Sequence, residues 1–533
     1  MTPLRAGTGT EPASVVIVGS GPVGLMLAIE LRLAGVEPVV LDRLDSISDI
    51  PKGNGLVGQI VQALDYRGLL EPLRAESTYT GPVPGFSFGP LRLDFSPLAS
   101  SPLHILAIPQ RRLELALTKR LADLGGVVRR GHEMTGFDQD DDAVKVAVAG
   151  PGGRYQLRAE YLVGCDGAHS QVRKLAGIGF PGFTAPEVSL IGRVTLPEAV
   201  IGARPGEIEL PGLGRIALTQ QHRTPQGMYS VAPLTSLDAT AVAGTYIVYT
   251  REDAEPETEA RAERGRGDSE PPVTLAELRA SFRRVTGADV LMTDPTWLTR
   301  TTGNTRQADR YREGRVLLAG DAAHVFGLAL NSGLLDSINL GWKLAAQVQG
   351  QAPAGLLDSY HTERHAAGQR ALLHTRAQRA LTGNGEVSDA IRELFGELLT
   401  VPGVARYLGE LIEGSDVRYE MPGAAATPHP LAGRFAPDMR LVSAGGSTRV
   451  AELMRAAQPV LLDFTPDGRV APEAAGWEVR VPAMVVKPVD LPQPADALLI
   501  RPDGYVAWAA GPGAADPGAG LTAALAAWCA GPG

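Results

Sequence analysis

The stretch that most constrains this chain runs from residue 15 to residue 42. Val15-Val16-Ile17-Val18 is a β-branched run of the kind that makes a buried parallel strand. Gly19-Ser20-Gly21-Pro22-Val23-Gly24 follows, and apolar residues at 25, 28 and 31 then recur at helical spacing. Gly35 marks a helix stop, and a second apolar run, Val39-Val40-Leu41, ends in Asp42. This pattern predicts a dinucleotide site. Gly19 allows a tight turn, Gly21 lets the backbone approach a pyrophosphate, and Gly24 lets helix and strand pack closely. Pro22 and Val23 open the helix, whose unpaired N–H groups favour phosphate. Asp42 stands where a carboxylate takes a ribose hydroxyl, and Arg43 beside it is a candidate for phosphate or adenine. The motif alone does not separate FAD from NAD.

A chain of 533 residues holds roughly two to four domains. A net charge of −9 leaves no basic footprint for nucleic acid. No apolar run is long enough to span a bilayer. The opening residues lack the apolar core of a signal peptide, and the first ten or so read as a loose tail. Two cysteines, Cys165 and Cys529, make neither a disulfide framework nor a zinc set. A cytoplasmic protein with reduced thiols is expected.

Further stations lie along the chain. Residues 80–108, rich in Pro, Gly and Phe, read as a strand excursion. Gln110 follows Pro109 at the start of a helix bearing Leu113, Leu117 and Leu121. Tyr161-Leu162-Val163-Gly164-Cys165 reads as a buried strand running into Asp166-Gly167. From about Ala185 to Thr250 the pattern alternates, including Glu207–Leu210 and Thr245–Tyr249, which predicts an antiparallel sheet with one covered face. Residues 251–272 are charged and read as a long loop. Val316-Leu317-Leu318-Ala319 is a strand ending in Gly320-Asp321. Helices are expected to about Tyr419, then a Pro-rich linker near Pro422–Pro430, then a small α/β unit.

Three of these stations, GSGPVG at 19–24, CDGAHSQVR at 165–173 and GRVLLAGDAAH at 314–324, together resemble the FAD-dependent aromatic hydroxylases. These are the class A flavoprotein monooxygenases of p-hydroxybenzoate hydroxylase type. The tail, with Arg501-Pro502-Asp503-Gly504-Tyr505, is similar to the thioredoxin-like third domain of the polyketide and phenol hydroxylase branch. Within that branch the length and opening resemble the Baeyer–Villiger monooxygenases of aureolic acid biosynthesis.

The resemblance implies a mixed α/β and α+β architecture. A Rossmann-like FAD-binding domain would take residues 1–80, 104–182 and 298–400. An antiparallel-sheet substrate domain would take 81–103 and 183–297. A connection at 401–430 and a thioredoxin-like domain at 431–533 would follow. The cofactors implied are FAD and NADPH. The implied partners are a large aromatic polyketide and O2, with a homodimer open. A flavin C4a-peroxide would insert one oxygen atom, with Baeyer–Villiger oxidation of a tetracyclic ketone as the leading reaction. Ring hydroxylation and a flavin-binding protein without oxygenase activity are the other readings.

By the same resemblance, Asp166 serves FAD and nicotinamide handling, Asp321 bonds the flavin's ribityl chain beside Gly320, and Gln110 lies near the flavin. The family's Pro-x-Gly-Gly-Gln-Gly loop after its GDAAH is shortened here to Val325–Leu330, leaving Gly327, Asn331 and Gly333 to serve. Lys52, in Pro51-Lys52-Gly53, is the candidate catalytic cation near the flavin; it keeps a positive charge without the planar fork of arginine.

Overall fold

The computed structural model describes residues 10–529 except 51, 52, 54, 199, 202–205, 237, 239, 253–270, 328, 384, 423–428 and 515. Lys52, the loose tail over residues 1–9, most of the charged loop and most of the Pro-rich linker therefore lie outside the described residues.

The β-branched opening forms β1 (Thr10–Val18), and the glycine turn leads into α1 (Pro22–Leu33), with Pro22 at a first-turn position. There its missing N–H costs nothing. β2 (Pro38–Asp42) returns beside β1 in parallel, with Val18 opposite Leu41. The residues after Pro109 form α2 (Gln110–Asp123), which buries Leu113, Leu117 and Leu121 on one face. β3 (Gly153–Gly164) lies parallel on the other side of β1, with Val18 opposite Gly164. The short α3 (Gln171–Leu175) follows.

The chain then leaves this sheet. β4 (Gly182–Thr195), β5 (Thr245–Glu252) and β6 (Thr293–Gln307) are antiparallel neighbours at the centre of a six-stranded sheet. α4 (Leu275–Thr286) covers one face, with Leu278, Phe282 and Val285 buried against Val194, Tyr229 and Val248. The alternation expected over 185–250 is thus explained by one covered face. Glu207–Leu210 departs from that expectation: it sits in a separate three-stranded sheet with Val200–Ile201 and Gly214–Ala217. Gly206, Gly212 and Gly214, all at positive φ, turn the chain back on itself there.

The chain returns through β7 (Val316–Leu318), parallel to β3 with Leu318 opposite Gly164. Long helices follow: α5 (Ala329–Val348), α6 (Asp358–Thr382), α7 (Glu386–Leu398) and α8 (Val404–Glu413). The last unit is a four-stranded mixed sheet in which Val460–Asp463 pairs parallel with Ala483–Val485 and antiparallel with Ala497–Ile500. Its core is shared with α5, since Trp342 packs beside Trp528 with ring centroids 6.3 Å apart. Among the described residues no helix is long and apolar enough to cross a membrane, and no cluster suits a metal ion.

Candidate flavin site

Parallel register decides where the site lies. β7, β3, β1 and β2 are neighbours in that order, and their C-terminal ends are level. Gly19 N–H donates to Leu41 O at 2.8 Å, Cys165 N–H to Val18 O at 2.8 Å, and Ala319 N–H to Gly164 O at 3.0 Å. The turns at Gly19, Asp166 and Gly320–Asp321 lie 23 positions before Asp42 and 124 and 278 positions beyond it, yet share one sheet edge with it. Ligands of open α/β sheets bind at this edge.

The glycines behave as the sequence requires. Gly19 has φ +102°, and a Cβ there would lie 2.4 Å from the Cys165 carbonyl oxygen. A Cβ on Gly24 would lie 1.9 Å from Gly19 O. Gly21 precedes α1, and a Cβ there would meet nothing within 4 Å. The first two positions are shaped by protein contacts. The third fronts open space at a helix N-terminus, the setting that suits a phosphate.

Asp42 accepts from Ser20 N–H at 2.9 Å, from Ser20 Oγ–H at 2.5 Å and, through its other oxygen, from Leu44 N–H at 2.9 Å. The acid and the glycine turn are therefore one rigid unit. Arg43 is exposed just beyond it. Asp166 Oδ2 accepts from Gln171 and Val172 N–H at 2.7 and 3.2 Å, capping α3, while its buried Oδ1 has no hydrogen-bond partner. Gly320 has φ +63° and packs on Val23, and Asp321 lies exposed in the same turn. Gln110 N–H donates to Gly53 O at 2.9 Å and its side chain to Glu114 at 2.7 Å, so the loop after β2 is tied to the start of α2. Asn331 is buried, and its side-chain oxygen accepts from Val57 N–H at 3.0 Å.

α5 is held against α1 along one face. A Cβ on Gly333 would fall 2.9 Å from both Gly320 Cα and a Val23 methyl, and Ser337 Oγ–H donates to Val23 O at 2.7 Å. Behind this contact lies a buried hub. Asp336 accepts from Gly320 N–H at 3.0 Å, from His324 Nε2 at 2.7 Å and from Arg364 Nε at 2.7 Å. Arg364 also donates to Ser332 and to Tyr419 OH. Burial pushes the Asp336 carboxyl up, but His324 and Arg364 outweigh it and hold it below its usual range. His324 is thus a structural, hydrogen-bonded group stacked on Phe326 at 4.6 Å.

His324–Val325 forms the edge strand of the six-stranded sheet, paired with β6. The Gly-Asp turn is therefore the covalent and hydrogen-bonded joint between the two sheets. The face of the second sheet turned away from α4 carries Ser189, Tyr249 and Arg193. Ser189 and Tyr249 share a 3.0 Å hydrogen bond, and Arg193 Nε is buried without a partner. Sequence reasoning did not single out Ser20, Asp336 or Arg364. The signal available was a polar run, Asp336-Ser337-Asn339, inside an otherwise apolar helix.

The residues present fit the pyrophosphate and ribose of a dinucleotide: open space before α1, an acid locked at the end of β2, and an unpartnered carboxylate oxygen at Asp166. Comparison with known proteins agrees. The profile of an FAD binding domain matches residues 12–375, and that of the aromatic-ring hydroxylase C-terminal domain matches 429–532. A 12-dehydrotetracycline 5-monooxygenase/anhydrotetracycline 6-monooxygenase of Streptomyces rimosus is 41% identical over 96% of this chain and 98% of its own. A dialkyldecalin synthase of Streptomyces rugosporus is 38% identical over 97% and 98%. The crystal structure of an aromatic hydroxylase from angucycline biosynthesis superposes with a TM-score of 0.83 at 37% identity, covering 97% of this chain and 99% of that one.

Proposed function

The chain belongs to the FAD-dependent monooxygenases of the aromatic-ring hydroxylase type, and from that premise we propose that it inserts one oxygen atom into a polycyclic aromatic polyketide at the expense of NADPH. The observation that carries the reading is the shared edge, where Gly19–Gly24, Asp42, Asp166 and Gly320–Asp321 come together and the Gly-Asp turn runs on into the second sheet. Bound at this edge, FAD would supply redox and oxygen-activating chemistry that no side chain provides.

The residues have separable tasks. The N–H groups at the start of α1, beside Gly21, Pro22 and Val23, hold the pyrophosphate. Asp42 takes a ribose hydroxyl while Ser20 fixes its orientation, and Arg43 lies within reach of the adenosine end. Asp321 bonds the ribityl chain next to Gly320. Asp166 offers its unpartnered oxygen to the cofactor or the nicotinamide. Gln110 and Asn331 steady the two segments flanking the isoalloxazine. The sheet face turned away from α4, with Ser189, Tyr249 and Arg193, orients the substrate and excludes water.

Lys52 supports negative charge developing at the flavin. Its test is Lys52→Ala: turnover should fall at least tenfold with FAD content kept, and unchanged turnover would sink the role.

Ring hydroxylation is the first reading, because the angucycline-pathway relative is named an aromatic hydroxylase. Lactone formation by Baeyer–Villiger oxidation is the second, resting on the likeness of the chain's length and opening to the aureolic acid enzymes. Anaerobic reduction with NADPH, then oxygen and anhydrotetracycline, tests both. NMR of the product distinguishes a new ring hydroxyl from a lactone. A chain that holds FAD and yields neither is not the oxygenase proposed.

A further inference from the structure

α5 has a second face. Gly333, Ser337 and Gly341 lie against α1, and Asn331 and Leu335 point the opposite way at 100° per residue. There, together with Phe326 and Gly327 of the shortened loop and with residues of α6 and the end of α8, they line a half-open chamber of about 340 Å3. That volume is within the range of small-molecule sites, about 300–1,000 Å3. The first turn of α5, through Asn331 and Ser332, forms part of the chamber wall.

The walls state what would fit. Ile60, Phe86, Phe326, Leu335, Ala371 and Ile412 supply apolar and aromatic surface. The two guanidinium groups are spoken for. Arg364 serves Asp336, Ser332 and Tyr419, and Arg370 donates to Asp416 Oδ2 at 2.7 Å and to Tyr407 OH at 3.1 Å. Hydrogen-bonding capacity remains: Asp416 Oδ1 and His374 Nε2 are buried beside the chamber without partners. Burial shifts the His374 ring toward its neutral form and pushes the Glu413 carboxyl up to about 7. A lining of matched charges and spare acceptors disfavours ions and favours donors on an apolar body.

We infer that this chamber is a binding site for a neutral, hydroxyl-bearing aromatic molecule, held by Asp416 and His374 on the face of α5 turned away from α1. Its occupant bears on the first turn of α5. The inference does not depend on the oxygen-insertion chemistry: a chain that binds in the chamber but turns over nothing counts against that chemistry alone.

The test uses the full FAD-loaded chain and chrysophanol, a neutral phenolic anthraquinone, with unsubstituted anthraquinone and anthraquinone sulfonate as controls. Chrysophanol should appear between Phe86, Ala371 and Ile412 in soaked crystals, and bind at least tenfold more tightly than either control. Ala371→Trp and Ile412→Trp, which fill the chamber from α6 and from α8, should each weaken binding at least tenfold with FAD content unchanged. An empty chamber in the soaked crystals, equal binding of the controls, or parental affinity in the variant that keeps its FAD would overturn the inference.

Discussion

Gly21 and Gly24 are three residues apart, yet a methyl group means something different at each. At Gly24 it would strike Gly19 O at 1.9 Å, while at Gly21 it would meet no protein atom within 4 Å. Gly24→Ala should therefore damage the fold itself, by about 1–3 kcal/mol as overpacking does. Gly21→Ala should cost about 0.5 kcal/mol or less at a helix cap but weaken FAD binding about tenfold, or 1.4 kcal/mol. Denaturant melts of the apoprotein and FAD titrations separate the two; equal loss of stability in both variants would contradict the assignment. Glu413 makes a second prediction at this scale. Its carboxyl is pushed up to about 7 by burial and, secondarily, by Glu410, from about 4.3 in an unfolded chain. Between those values the folded state holds a proton that the unfolded state has released, so stability falls as pH rises. The loss is on the order of 4 kcal/mol at about 1.4 kcal/mol per unit, and it should vanish in Glu413→Gln when melts are compared at either end of that window.

The glycine turn could be read from sequence because its chemistry is local: Gly24 answers Gly19 five residues before it, Gly19 answers the next strand, and Gly21 faces open space at the helix start. The hub on α5 was opaque for a reason that belongs to elements. A run such as Leu334-Leu335-Asp336-Ser337-Ile338-Asn339-Leu340 reads as an amphipathic helix with a wet face. In the fold the helix is buried on nearly every side, and Asp336, Ser337 and Asn339 are at most 2% exposed. Their partners, Gly320, His324, Val23 and Glu363, come from other elements and leave no periodic trace. Asp336→Ala would strand His324 and Arg364 without their acceptor. Breaking such a buried pair costs about 3–5 kcal/mol, and the Gly320 turn loses its anchor. Apoprotein melts should show that loss and FAD should bind more weakly; a variant as stable as the parent would mean the hub holds nothing.

Across the molecule, the carboxy-terminal unit is stapled to helices α5 and α6 through buried charge. Arg501 donates to Glu363 at 2.6 and 2.8 Å and also pairs with Asp503, while Lys343 reaches Glu363 at 2.7 Å. Burial pushes the Glu363 carboxyl up, but Arg501 and Lys343 prevail and hold it at about 2. Calorimetry of the parent should give one unfolding transition. Arg501→Ala leaves Glu363 and Asp503 facing each other in a dry interface, and should split it into two. One unsplit transition at the parental temperature would remove the staple. The order of the sheets and the meeting of three distant turns were legible, since parallel strands bring their ends to one edge. The pairing of Arg501 with Glu363, 138 residues apart, was not. The most direct measurement supplies the FAD-loaded chain with NADPH, anhydrotetracycline and oxygen-18, and weighs the product. The account predicts one labelled oxygen atom per product molecule, formed in step with NADPH consumed. Full FAD occupancy and NADPH oxidation with no label in the organic product would contradict it.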